Sequence, residues 1–159
     1  MLRDLGTLGG ETSQAVWIND AGDVVGFADL PGSKTHHAVL WAKGHVHDLG
    51  TVGGDPCSHG ESLNARGQVV GGSTDCFDFL HAFLWEEGGP MVDLNTLIRA
   101  GSSVQLTNAF NINERGEILA KAAPLGLTPN DDADLGHLAL LIPCDEEHPG
   151  VPGCDYSEQ

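Results

Sequence analysis

The sequence predicts an all-β fold made of three repeats. Glycine supplies 22 of 159 residues, about twice the usual ~7%, and this excess without low complexity calls for many tight turns and short strands. A turn of the form N-x-x-G recurs as Asn19-Asp20-Ala21-Gly22, Asn64-Ala65-Arg66-Gly67 and Asn113-Glu114-Arg115-Gly116. A short apolar run follows each turn, as HAVLW (37–41), HAFLW (81–85) and HLALL (137–141). No stretch keeps a helical period, and only Leu94–Ala100 has room for a short helix.

The elements of one repeat come in a fixed order. First stands DLGTLGG (4–10), repeated as DLGTVGG (48–54) and decayed to DLNTLI (93–98). Next comes a hairpin around the N-x-x-G turn, where Asn bonds its own backbone and Gly adopts positive φ. Its flanks, such as Ala15–Ile18 and Asp23–Phe27, are rich in β-formers. The apolar run makes a third strand and the DLG segment a fourth. The first two copies are 44 to 45 positions apart, and an insertion around Pro124–Gly136 stretches the third. Four strands in ~45 residues is the size of one propeller blade. A propeller closes with 4–8 blades. Three copies therefore imply a six-bladed ring made by a homodimer, a piece of a larger ring, or a pseudo-threefold β-trefoil or β-prism. The domain expected is 1–143, with repeats at about 2–45, 46–90 and 91–143, followed by a tail at 144–159.

Taken together, these H-A-[VF]-L-W, D-L-G-T-[LV]-G-G and N-x-x-G-x-V-V-G units resemble the HAF family of bacterial extracellular repeats. The resemblance is close over residues 2–98 and weak over 99–142. It implies a repeated β architecture and an extracellular or periplasmic location, and it implies almost no chemistry.

Charge narrows the partners. With 23 acidic and 7 basic residues the net charge is −16. Nucleic acid and anionic membranes are disfavoured and cations such as Ca²⁺ favoured. A hydrophobic content of 40% is too high for a disordered chain. No run approaches the ~20 apolar residues of a membrane helix. Met1-Leu2-Arg3-Asp4 opens directly into the first motif with no apolar leader, so a processed chain or a piece of a longer one is expected. The four cysteines sit in loop-like contexts and read as two disulfides, Cys57–Cys76 and Cys144–Cys154, each around local turns; reduced thiols are the alternative.

Residues repeated in every copy, such as Asp4, Asp48 and Asp93, or His37, His81 and His137, read first as structural. The Asp bonds the next backbone, the Asn caps its turn, and the His bridges repeats. Residues that break the pattern are stronger candidates for chemistry. Asp55, His59 and Glu61 stand on one segment and Asp75 and Asp78 on another. A Cys57–Cys76 bond would bring them together, either to hold Ca²⁺ by oxygen ligands or to pair an imidazole with a carboxylate. Asn130, Asp132 and Asp134 alternate like the start of a Ca²⁺ loop, although the following glycine is one place late and no glutamate stands at position twelve. His45-Val46-His47-Asp48 lacks the last histidine of a zinc hydrolase motif.

Two functions follow. One is a Ca²⁺-dependent hydrolase of a small-molecule ester or lactone, by analogy with calcium propeller lactonases. In it the ion polarises the carbonyl, and His59, His37 or His81 takes a proton from water. The other is a non-enzymatic module that binds an extracellular ligand.

Overall fold

The computed structural model describes residues 1–126 and 136–154. The first four strands are β1 (Ser13–Ile18), β2 (Val24–Asp29), β3 (His36–Ala42) and β4 (His45–Asp48). The next four are β5 (Cys57–Leu63), β6 (Val69–Thr74), β7 (Phe79–Trp85) and β8 (Val92–Asp93). A 3-10 turn at Leu94–Thr96 precedes β9 (Val104–Ile112), β10 (Ile118–Pro124) and β11 (His137–Leu141). They form three antiparallel sheets, β1-β2-β3-β4, β5-β6-β7-β8 and β9-β10-β11. The all-β expectation therefore holds, and the helical residues at 94–96 fall where a short helix was expected. Four strands per repeat does not hold for the third copy, whose sheet has three among the described residues. The reason lies in the order of motifs. In the first two sheets the fourth strand is the segment leading into the next D-L motif. After β11 the chain instead enters Pro143 and the tail.

Each hairpin turns at its N-x-x-G unit. Gly22, Gly67 and Gly116 have φ of 85°, 76° and 79°, a region closed to most side chains. The strands before these turns all carry a β-bulge at one equivalent position. The register slips between Ala15 and Trp17 in β1 and between Gly60 and Ser62 in β5. In β9 it slips where Leu119 faces Asn111 and Ala120 faces Ala109. The extra residues are Val16, Glu61 and Phe110, each three places before the turn asparagine. The partner strand comes close here. A Cβ on Gly71 would lie 2.0 Å from the His59 carbonyl oxygen, and one on Gly26 would lie 1.9 Å from that of Gln14.

The sheets pack face to face. Val25, Ala38 and Leu40 of the first sheet meet Leu63, Val69, Phe83 and Trp85 of the second. The other face of the second sheet, Val70 and Ala82, meets Leu106, Ile112 and Ile118 of the third. Leu49 and Val52, from the second DLG segment, fill the first interface. Buried hydroxyls tie the layers: Ser58 Oγ accepts from Ala38 N at 2.8 Å and donates to the Gly50 carbonyl at 2.6 Å. At one end of the stack, Leu5 and Leu8 cover Val39 and Trp41.

A ladder of asparagines runs through the stack. Asn19 Nδ2 donates to the Asn64 carbonyl at 3.3 Å, and Asn64 Nδ2 donates to the Asn113 carbonyl at 3.1 Å. The Asn64 Oδ1 atom meanwhile caps its own turn by accepting from Arg66 N and Gln68 N at 3.1 Å each. One side chain, 1% exposed, thus shapes its turn and joins it to the next.

Both expected disulfides are present, Cys57–Cys76 and Cys144–Cys154. The second closes the tail, which folds back on the third repeat. There His148 Nδ1 meets Asp145 Oδ1 at 2.6 Å, and Arg115 Nη2 donates to the Glu147 carbonyl at 3.2 Å.

Asn64→Asp keeps the acceptor that caps the turn but loses the donor to Asn113 and sets a carboxylate against two oxygens. We expect it to lower stability by about 2 kcal/mol, read from urea unfolding. Asn113 is exposed and its Nδ2 donates to Glu117, with no bond to another turn among the described residues, so Asn113→Asp should cost about half as much or less.

Candidate functional site

The motif residues are placed as structural groups. Asp4, Asp48 and Asp93 each accept a backbone N–H two residues on, from Gly6, Gly50 and Asn95, at 2.9 Å. His37 and His81 do not bridge sheets as expected. His37 Nδ1 meets Asp48 Oδ1 on the neighbouring strand at 2.8 Å. His81 Nδ1 meets Asp55 Oδ2, just ahead of β5 in the same sheet, at 2.8 Å. Asp48 is held below the usual carboxylate range by its hydrogen bonds from His37 and Gly50, which outweigh the opposing effect of burial.

The Cys57–Cys76 bond does form, but the acidic residues around it go separate ways. Asp55 binds His81. Asp75 folds its own loop, accepting from Phe77 N at 2.9 Å and Asp78 N at 2.8 Å, and these bonds lower its pKa. Glu61, the bulged residue of β5, has its pKa raised by burial, an effect that the Asn108 side chain of the third sheet opposes. Among the described residues, no three His, Cys, Asp or Glu side chains come together to hold a metal ion. Asn130, Asp132 and Asp134 lie outside the described residues.

His59 sits elsewhere than expected. Its ring stacks on Phe27 of the first sheet at 4.2 Å between centroids and meets Phe79 edge-on at 5.5 Å. Its Nε2 lies 2.6 Å from Nε2 of His36. One ring must donate and the other accept, so a second proton has no place at this contact. Desolvation, then the neighbouring His36, pushes the His59 pKa down to about 4. Desolvation also lowers His36. Both rings are neutral near pH 7, and the Nε2 of His59 is occupied by its partner. Beside them Gly72 has no room for a side chain: a Cβ would lie 2.2 Å from the Phe79 ring and 2.7 Å from Asn108 Oδ1.

The most ligand-like feature carries no complete motif in the sequence. A cleft of about 540 Å³ opens between the second and third sheets and the tail. Leu94, Ile98, Ile112, Ile118 and Leu141 wall it, and Arg66, Arg99 and Arg115 line it as well. The chain has only four arginines, so three gather at one apolar hollow of a molecule with a charge of −16. Two of them are positioned by the ladder. Arg66 and Arg115 hold the same place in successive N-x-R-G turns, which the bond from Asn64 to Asn113 joins. Arg66 lies 3.9 Å from Glu147 and Arg115 lies 3.8 Å from Glu117. Arg99 is exposed and pairs with no carboxylate among the described residues. A second hollow of about 340 Å³ adjoins it, lined by His81, Asn95 and Arg99. The available sequence signal was the N-x-R-G turn, present in two copies and replaced by Ala21 in the first.

Comparison with protein-family models, with curated proteins and with solved structures gives no match.

The histidine pair sets a pH dependence. An unfolded chain protonates His36 and His59 near their ordinary value of 6.5, whereas the folded protein resists until about pH 4 at His59. The unfolded state therefore binds more protons in this window. The contribution is complete above pH 6.5 and is lost as pH falls towards 4. We expect about 1–2 kcal/mol of loss after allowance for solvent screening, read by urea unfolding at pH 7 and pH 5. His59→Gln should flatten that slope.

Proposed function

We propose that the protein is a binding module of blade-like β repeats, acting in an oxidising compartment outside the cytoplasm, whose ligand is a small apolar molecule carrying a carboxylate. The observation that carries this reading is the gathering of Arg66, Arg99 and Arg115 at one apolar cleft. A volume of about 540 Å³ falls within the ~300–1,000 Å³ of small-molecule sites. The walls suit a hydrocarbon or aromatic body, and guanidinium groups take carboxylates through paired hydrogen bonds. Elsewhere the net charge repels an anion, so the arginines also select where it lands. The face-to-face sheets and the asparagine ladder support blades over a trefoil. The two disulfides and the resemblance to the HAF family support the location. No described helix is long and apolar enough to cross a membrane.

One observation favours hydrolysis as a second reading. His81 Nδ1 is held by Asp55, whose side chain is 13% exposed, leaving Nε2 for the adjoining hollow. There it would take a proton from water attacking an ester or lactone carbonyl. His59 is less suited, because its Nε2 faces His36. Calcium belongs to this reading alone. The described acidic residues do not converge to hold it, which leaves Asn130, Asp132 and Asp134 as its oxygen ligands. Turnover of a chromogenic ester that is lost in His81→Gln supports hydrolysis. A melting temperature unmoved by Ca²⁺ or EDTA removes the ion.

Calorimetry with decanoate and with decanol tests the main reading. Decanoate should bind and decanol should bind at least ten times more weakly. Arg99→Ala should weaken decanoate about tenfold or more, the worth of one charged hydrogen bond. Equal binding of acid and alcohol, or no effect of Arg99→Ala, overturns it.

A further inference from the structure

The two ends of the stack are incomplete in complementary ways. Each sheet has one face towards the repeat before it and one towards the repeat after it. The forward face is covered in the first sheet, where Val25 and Ala38 are 0% exposed and Leu40 is 7%. It is covered in the second, where Val70 and Ala82 are 0% exposed. In the third sheet the same positions are Leu119, Leu138 and Leu140, exposed by 37%, 68% and 60%. The backward face shows the converse. Leu63 and Ile112 are 3% and 5% exposed, whereas the equivalent Ile18 of the first sheet is 62% exposed. Leu5 and Leu8 of the first DLG segment are only half-buried, whereas Leu49 and Val52 of the second are 4% and 8% exposed.

The strands tell the same story. β4 and β8 come from the residues leading into the second and third D-L motifs, and they complete the sheet of the preceding repeat. Residues 1–4 lead into the first D-L motif and pair with no strand among the described residues; Met1 and Leu2 are fully exposed. Among the described residues, the third sheet ends at β11, and no strand pairs with its outer edge. Within the first sheet, Val39 pairs with Asp48, Leu40 with His47 and Trp41 with Val46.

We infer that residues 1–4 of a second copy add the missing fourth strand to β11, and that the first sheet of that copy covers the exposed face of Leu119, Leu138 and Leu140. Asp4 then pairs with Ala139, Arg3 with Leu140 and Leu2 with Leu141, the register of β3 and β4. Leu5, Leu8 and Ile18 of the second copy become buried as Leu49, Val52 and Leu63 are. Donated in both directions, the exchange closes a ring of two chains and six sheets. The inference rests on the blade-like reading of the sheets; of the residues it covers, Leu140 also borders the cleft, whereas Leu119 and Leu138 do not. The contact reuses the interface that joins successive repeats within the chain, and closing the edge removes a site of open-ended pairing. Two chains of charge −16 repel one another, so added salt should favour the pair.

Sedimentation velocity of the full chain at 0.05 M and 0.5 M NaCl tests this. The expected species has twice the 16.7 kDa mass of the chain, with tighter association at the higher salt. Leu138→Asp on the exposed face and Leu2→Pro in the exchanged segment should each weaken association at least tenfold, with an unchanged far-UV spectrum. A mixture of the two variants retains one intact contact and should pair more tightly than either alone. A chain that stays monomeric at 100 µM in both salts overturns the inference, as do assemblies that grow beyond two copies or a mixture no better than its parts. Decanoate binding should persist in Leu138→Asp, since that residue does not line the cleft; loss of ligand binding there counts against the cleft reading and leaves the pairing result standing.

Discussion

The asparagine ladder is the constraint on which the arrangement depends. A turn that only reversed the chain could sit at any angle to its neighbour. Here Asn64 uses its oxygen on its own backbone and its nitrogen on the carbonyl of the next turn, so one buried amide sets both the local and the longer-range geometry. Isolated hairpins are marginal in water. The ladder and the interleaved Leu49, Val52 and Leu94 make each sheet depend on the next. The net charge opposes compaction, and cohesion comes from apolar faces and buried hydroxyls, with few ion pairs among the described residues.

The functional reading grows from the same geometry. Stacked turns hold Arg66 and Arg115 near one another, although they are 49 positions apart. The 3-10 turn after Asp93 brings Arg99 to the same cleft. The aspartates and asparagines that repeat in all three copies are committed to turns, whereas the arginines of the proposed site recur in two copies, as Arg66 and Arg115, or stand alone, as Arg99.

Much of this was legible in the sequence because repetition exposes what backbone geometry requires. The three turns, the apolar runs, the role of the D-L aspartate and both disulfides follow from local chemistry that needs no knowledge of the neighbouring sheet. The His59 environment was not legible. Its partners Phe27 and His36 come from another sheet, and no local pattern marks that contact. The proposed Asp55, Glu61, Asp75 and Asp78 cluster assumed that a disulfide draws in the side chains around it. In fact Asp75 is captured by its own loop and Asp55 by His81. The arginine cleft was not legible, because a count of seven basic residues against 23 acidic hides where those seven stand. That the last sheet has three strands among the described residues was foreshadowed, since no D-L motif stands between HLALL and the tail.

The bulge shared by the three repeats has a consequence for how such a chain can change. Val16, Glu61 and Phe110 are a small aliphatic, an acid and an aromatic at one equivalent position. The backbone irregularity is maintained by the residues on either side and by the close approach of the opposite strand. The bulged side chain is therefore released from the apolar alternation of its neighbours, even where, as at Glu61, it is half-buried. Duplication of the repeat copies this position, and each copy can then drift in chemistry without disturbing the fold, giving the stack a row of interchangeable side chains on an unchanging frame.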